Sequence, residues 1–141
     1  MSDTEGDRGA DLTELLHLTP FAETVGIALD SAEAAEVRGR LAWSPERCTA
    51  GGVLHGGALM ALADSLGALC AYLNLPCGAQ TTTVTSNSVF MRGVRSGDVT
   101  GVAHPLHTGR TIIVIHTDLL ADNGTLVAQV TQNQAVLTGR A

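Results

Sequence analysis

Apolar and polar positions change period several times along this chain. Residues 1–10 are polar and acid-leaning and read as disordered. Asp11–Leu18 sets Leu12, Leu15 and Leu16 at helical spacing, which predicts one or two amphipathic turns ended by Pro20. Val25–Leu29 and Glu36–Trp43 read as strands with Asp30–Ala35 turning between them; the second alternates Val37, Gly39, Leu41 and Trp43 against polar neighbours. Ser44–Gly52, with Pro45 and Gly51-Gly52, reads as a loop. The alternation then gives way to an apolar run, Val53–Leu73, which predicts one long helix broken at Leu75–Gly78. Strand-like patterning returns in Thr81–Met91, Asp98–Pro105, Thr111–Leu120 and Thr125–Leu137. Arg95-Ser96-Gly97 and Ala121-Asp122-Asn123-Gly124 supply turn signals, the Asn-Gly pair marking a hairpin.

Two strands, one apolar helix and four further strands make an α+β pattern. With no second long helix to cover the first, the sheet has to curve around it. Val53–Leu73 is about as long as a membrane span, but it carries Asp64 and Ser65, is rich in glycine and alanine, and stops before Pro76. It is expected to be the core helix of a soluble protein.

Composition narrows the class. At 141 residues the chain is long enough for one core, with 45% hydrophobic and 16% charged residues. A net charge of −6 argues against nucleic acid and anionic membranes as partners. All eight basic residues are arginine, so any anion held here is held by guanidinium groups. Cys48, Cys70 and Cys77 lack metal-ligand spacing and are expected to be reduced thiols in a cytoplasmic protein. The polar N-terminus does not resemble a signal peptide. His104, His107 and His116 are expected to be scattered by strand alternation, and no metal site is expected.

Asp64 is the only charged side chain in the apolar run apart from a chargeable His55 near its start. In a helix apolar all round it would be an unpaired carboxylate in a core, a costly group that shifts its pKa or serves a purpose. Its nine-residue separation from His55 amounts to about 900° of helix, half a turn out of phase, and about 13 Å along the axis. The two cannot meet within one chain. If they build one site, a second copy supplies one of them, which predicts a two-fold dimer with two composite sites.

These residues also carry a resemblance. Gly52-x-x-His55-Gly56-Gly57, then Leu62-Ala63-Asp64-Ser65-x-Gly67, resembles the signature of the hotdog-fold acyl-CoA thioesterases of the PaaI-like branch. Phe90-x-Arg92-x-x-Arg95-Ser96-Gly97-Asp98 and Pro105-Leu106-His107-x-Gly109-Arg110 are similar to later blocks of that family. The resemblance covers about 25–137 and implies a hotdog fold over 21–141, after a tail and short helix over 1–20. It also implies hydrolysis of an acyl-CoA, with coenzyme A entering as part of the substrate and no separate cofactor. Asp64 of one chain would act as nucleophile or general base, and the Gly56 N–H of the other as oxyanion donor. His55 would orient the loop or bond near the thioester. Thr49 stands where the family usually has Asn or Gln, Ala68 where some relatives have Ser or Thr, and Thr83 where some have a hydroxyl that positions water.

For the coenzyme A moiety the same resemblance points to Arg92, Arg95 and Arg110, with His107, and to Gly57 and Gly109 as places of close backbone approach. Phe90 would touch the acyl group, expected to be small aromatic or short to medium in chain length. The family implies homodimers, commonly paired into homotetramers. Two alternatives stand beside hydrolysis: a non-catalytic acyl-CoA-binding or regulatory protein, and a hydratase of enoyl thioesters.

Overall fold

The structure, a computed structural model, describes residues 8–139, with side chains from residue 12 onward. Its elements are α1 (Arg8–His17), α2 (Pro20–Val25), β1 (Ala28–Glu33), β2 (Glu36–Ala42), α3 (Gly56–Leu73), β3 (Gln80–Phe90), β4 (Asp98–Thr108), β5 (Ile112–Leu120) and β6 (Leu126–Leu137). The six strands form one antiparallel sheet in the order β1-β2-β4-β5-β6-β3, with α3 packed against it.

The α+β architecture follows the expectation, with local corrections. Residues 8–10, expected to be disordered, belong to α1; residues 1–7 lie outside the described residues. Pro20 does more than end a helix: it opens α2 at a position where its missing N–H has no partner to lose. The strand expected over Val25–Leu29 therefore begins later, at Ala28. Gly26 closes α2 in the left-handed region at φ 98°, and only then does the chain extend. Most of the expected turn Asp30–Ala35 is strand β1. In β4 the strand runs past Pro105 to Thr108. Pairing with β2 ends at Ala103, so the proline sits where one side of β4 has no partner strand, and the β5 ladder absorbs it with a bulge.

The core lies between α3 and the inward faces of β2, β4, β5 and β6, where Leu41, Leu62, Leu66, Ile113, Ile115 and Leu119 are fully buried. Gly101 and Gly39 admit the two methyl groups of Leu66, since a Cβ at either position would strike that side chain. The helix is not apolar on all sides in effect. Eight of its residues, Leu59 to Ala71, are buried, whereas Met60, Asp64 and Tyr72 form an exposed stripe at helical spacing. Asp64 is therefore not a carboxylate locked in the core. Small residues along the stripe (Gly57, Ala61, Ala68) hid its direction from the sequence pattern.

The sheet leaves β3 at one end of the strand order, with 11 residues and no strand on its outer edge among the described residues. Register places Thr83, Ser86, Ser88 and Phe90 opposite Gln134, Gln132, Val130 and Ala128 of β6, and paired residues share a face. The helix side of β3 is thus a row of hydroxyls ending in a phenyl ring. Most of β3 is exposed, Val84 by 61% and Val89 by 52%.

Candidate active site

The N-terminus of α3 is held from several directions. Arg47 donates from Nε to the Val25 carbonyl at 2.6 Å and from Nη1 to the Ala42 carbonyl at 3.0 Å, while its own carbonyl accepts the His55 N–H at 2.8 Å. Leu54 N–H donates to Val94 at 2.9 Å, and Trp43 Nε1 donates to the Gly52 carbonyl at 2.9 Å. These bonds leave the chain extended through His55, which becomes the N-cap at φ −63° and ψ 135°.

The cap sorts the amides of the first turn. His55 Nδ1 accepts the Gly57 N–H at 2.7 Å. That bond requires an unprotonated Nδ1, so a neutral ring carries its hydrogen on Nε2. Ala58 and Leu59 donate to the His55 carbonyl. Among the described residues the Gly56 N–H has no acceptor, and it stands where the helix dipole is positive. The site thus presents a single open amide.

Two cavities flank that amide. One, of about 520 Å³, is lined by Phe21, Val25, Cys48, His55, Ala58 and Ala61 among others. The other, of about 340 Å³, lies on the Gly56 side with Leu59, Phe90, Met91 and Arg92. The Phe90 ring stands 3.6 Å from where a Gly56 Cβ would be. Gly56, Gly57, His55, Phe90 and Arg92 are therefore gathered around one helix end.

Asp64 lies just over two turns beyond Gly56 along α3. Its side chain reaches solvent, but partial burial of the carboxyl raises its pKa, opposed by a hydrogen bond from Gln132 Nε2 to Oδ1 at 2.8 Å. Thr83 on β3 accepts from Gln134 Nε2 at 2.7 Å, which leaves its own hydroxyl hydrogen to donate elsewhere. Gln134 in turn accepts from Thr81 at 3.1 Å. Gln132 and Gln134 are both fully buried and were not singled out from the sequence. The available signal was weak: Gln129, Thr131, Gln132, Asn133 and Gln134 put polar residues on both faces of β6, so alternation cannot say which pair turns inward.

The remaining candidates are dispersed. Thr49 is exposed, its N–H donating to the Val53 carbonyl at 2.8 Å, and it lines neither cavity. Arg95 donates to the Gly51 carbonyl at 2.9 Å and braces the loop. His107, Gly109 and Arg110 lie at the β4–β5 turn, where Ile112 pairs with Ala135 near the start of β3. That is the far end of an 11-residue strand, roughly 33 Å from the end nearest Arg92 and Arg95 at 3.3 Å per residue. Within one chain these two groups do not meet.

His104 and His116, expected to be scattered, face each other across β4 and β5 with ring centroids 5.6 Å apart, because hairpin register sets them directly opposite. Both nitrogens of His116 are occupied, Nδ1 by Thr131 at 3.3 Å and Nε2 by Asp118 at 2.9 Å. Although burial raises Asp118, the hydrogen bonds from Gln129 and His116 and the nearby His104 hold its pKa below the ordinary range. No cluster of three metal-ligating side chains occurs among the described residues. Cys48, Cys70 and Cys77 are free, and burial with the nearby Glu36 pushes the Cys70 thiol up to about 11.

A curved antiparallel sheet packed on one long helix, with an open amide at the helix start, defines a hotdog-fold protein of the thioesterase type. Residues 51–128 match the Thioesterase superfamily, and the chain belongs to that family. A Pseudomonas aeruginosa protein named as an esterase is 40% identical over 93 residues, 64% of this chain and 64% of the relative. The 1,4-dihydroxy-2-naphthoyl-CoA hydrolase of Escherichia coli is 33% identical over 86 residues, 61% of this chain and 63% of the relative. The matches thus span just under two thirds of the length of these relatives. Among solved structures, a mutant thioesterase from Pseudomonas aeruginosa superposes with a TM-score of 0.85 at 29% identity, covering 90% of this chain and 94% of the other. A thioesterase from Haemophilus influenzae does so at 0.85 and 28%, covering 90% of each.

Proposed function

We propose that this protein hydrolyses acyl-CoA thioesters at sites shared between two copies of the chain. The observation that carries this reading is the open Gly56 N–H at the capped start of α3, on the same helix as the exposed Asp64 but eight residues, about 12 Å of helix axis, away. One chain cannot bring the two to one carbonyl. An antiparallel partner joined along the unpaired edge of β3 sets Asp64 of each copy against Gly56 of the other.

The chemistry follows from that pairing. The thioester carbonyl oxygen accepts the Gly56 N–H, and the adjacent helix dipole favours the charge that develops there. Asp64 of the partner takes a proton from water as the water oxygen bonds to the carbonyl carbon. Collapse of the tetrahedral adduct breaks the carbon–sulfur bond, and the departing thiolate takes the proton back from Asp64. The raised pKa of Asp64 makes its carboxylate both a stronger base and a stronger nucleophile, so direct attack on the carbonyl carbon stands beside the water route. Single turnover in ¹⁸O-labelled water, with mass analysis of both product and protein, tests the choice: a base puts label in the product acid alone, whereas label in the Asp64 carboxyl shows a nucleophile whose mixed anhydride water opens at the aspartyl carbonyl.

The cavity beside His55, walled by Phe21, Val25, Ala58 and Ala61, receives the acyl group, of small aromatic or short to medium chain length. The cavity lined by Phe90 and Arg92 receives the pantetheine arm and leads its phosphates toward Arg92. The same two-fold carries the partner's β4–β5 turn toward this end of the sheet, so that His107, Gly109 and Arg110 contribute in trans. Pairing of dimers into a homotetramer, and action in the cytoplasm where free thiols and CoA thioesters coexist, complete the proposal. The test is a panel of acyl-CoA substrates read by release of free CoA. Turnover by the wild type and its loss in Asp64→Ala support hydrolysis. Equal, negligible release by both points to a binding protein, and loss of enoyl absorbance without thiol release points to a hydratase.

A further inference from the structure

We infer that Gln132 is a positioning residue for Asp64, holding one oxygen of the carboxylate and turning its carboxamide over when that carboxylate gains or loses a proton. The inference rests on the reading of Asp64 as the acid–base group of the site. Gln132 is fully buried on the helix-facing side of β6, and its Nε2 donates to Asp64 Oδ1 at 2.8 Å. Its Oε1 is buried with no hydrogen-bond partner. Such an oxygen is unfavourable by the desolvation of a carbonyl and is uncommon in a folded interior.

Room for that oxygen is made by Gly67, one turn beyond Asp64 on α3. A Cβ at residue 67 would overlap Gln132 Oε1 and press against the carboxamide carbon. The glycine opens the helix surface where the amide reaches through to Asp64 from beneath. The hydroxyl network of Gln134, Thr81 and Thr83 fills the neighbouring position on the same strand face, and there both ends of the amide are bonded. The contrast between the two glutamines is informative: Gln134 is fixed at both ends, Gln132 only at Asp64.

An amide fixed at one end follows its partner. Opposite a carboxylate, only the Nε2 hydrogens face the oxygen favourably. Opposite a carboxylic acid, a half turn about the last side-chain bond presents Oε1 to the acid's O–H, and no other hydrogen bond is broken by the turn. One residue thereby supports both forms that a general base passes through in each turnover. Among the described residues of one chain no other charged group shifts Asp64. Burial and Gln132 are the influences on Asp64, and the ionisable His104, His116 and Asp118 of β4 and β5 lie on the outer face of the sheet. Oδ2 of Asp64 has no hydrogen-bond partner among the described residues and is left to face water or substrate.

The test uses the intact protein with ¹⁵N-labelled glutamine. The side-chain amide signal of Gln132 is expected to shift with pH along a single titration curve that disappears in Asp64→Asn. Gln132→Met, similar in length and apolar, is expected to raise the Asp64 midpoint by about one pH unit, a tenfold change in ionised fraction at a given acid pH. The acid limb of kcat then moves up by the same amount while KM is unchanged. A Gln132 signal that does not titrate in the wild type overturns the inference even if the methionine variant fails to fold. So does a folded variant whose pH profile matches the wild type. If the wild type releases no CoA from any thioester, the hydrolase reading fails while the NMR titration still decides the Gln132–Asp64 relationship.

Discussion

His55 Nδ1 accepts the N–H of Gly57 at 2.7 Å, and this bond leaves the preceding amide, Gly56, as the open donor of the helix start. The histidine is thus a cap first. His55→Ala is expected to destabilise the fold by about 1 kcal/mol, the usual worth of an N-cap, measured by urea denaturation. His55→Asn retains a capping oxygen and is expected to recover most of that stability. Both variants lose the ring N–H of a side chain that lines the larger cavity, so a fall in kcat common to both separates its polar role from capping.

Gly56 offers a cleaner test of the oxyanion donor. Proline is favoured at the first helical position, and His55 already has the extended ψ of 135° that a following proline requires. Gly56→Pro therefore removes the N–H with little change in melting temperature, and kcat is expected to fall by about 10²–10³. Gly56→Ala keeps the N–H and places a methyl 3.6 Å from the Phe90 ring, an ordinary contact. Its kcat is expected to stay within a few-fold of the wild type. Equal loss in both variants would show that space at Gly56, and not its hydrogen, matters.

A composite site makes a statistical prediction. Asp64→Asn and Gly56→Pro chains are each expected to be inactive alone. Mixed in equal amounts after unfolding and refolding together, half of random dimers are heterodimers, and one of their two sites is intact. Activity should return to about a quarter of the wild type. No recovery would place Asp64 and Gly56 of the same chain in one site. A charge on the unpaired edge, Val84→Lys, is expected to convert the proposed dimer to monomer, read by light scattering, and to abolish turnover.

The raised pKa of Asp64 has a sign that stability measurements read. The folded chain holds the proton more tightly than the unfolded one. The wild type therefore loses stability as pH rises from the unfolded value, about 3.9, through the higher folded value. Asp64→Asn removes that loss. Its melting temperature is expected to match the wild type at pH 3 and to exceed it at pH 7. Under the proposed mechanism, in which Asp64 acts ionised, the kcat of the wild type is expected to decline on acidification already above the ordinary carboxylate range.

The parts of the site legible in the sequence were those fixed by local rules. A histidine before two glycines at the head of an apolar run announces a helix start with accessible amides, and helical phase alone separates His55 from Asp64. Phe90 and Arg92 came into place because β3 ends where β6 begins, a consequence of strand length and hairpin order. The His104–His116 contact was missed because it depends on hairpin register, which a bulge at Pro105 also shifts. Arg95 and Arg110 looked like neighbours along the chain, yet a full strand lies between them and carries them to opposite ends of the sheet.

By itself the sequence determined the α+β order, the single long helix, its capped start and the isolation of one acid upon it, because hydrophobic period, glycine and proline act over a few residues. Tertiary structure decided which side of that helix is covered. Its composition is nearly uniform, and only the sheet's curvature and strand order distinguish a buried stripe from an open one. The same packing put Gln132 beneath Asp64 and opened Gly67 to receive it, a contact between residues 68 positions apart. Local pattern has no access to such a pair, since its hydrogen bond exists only once helix and sheet are pressed together.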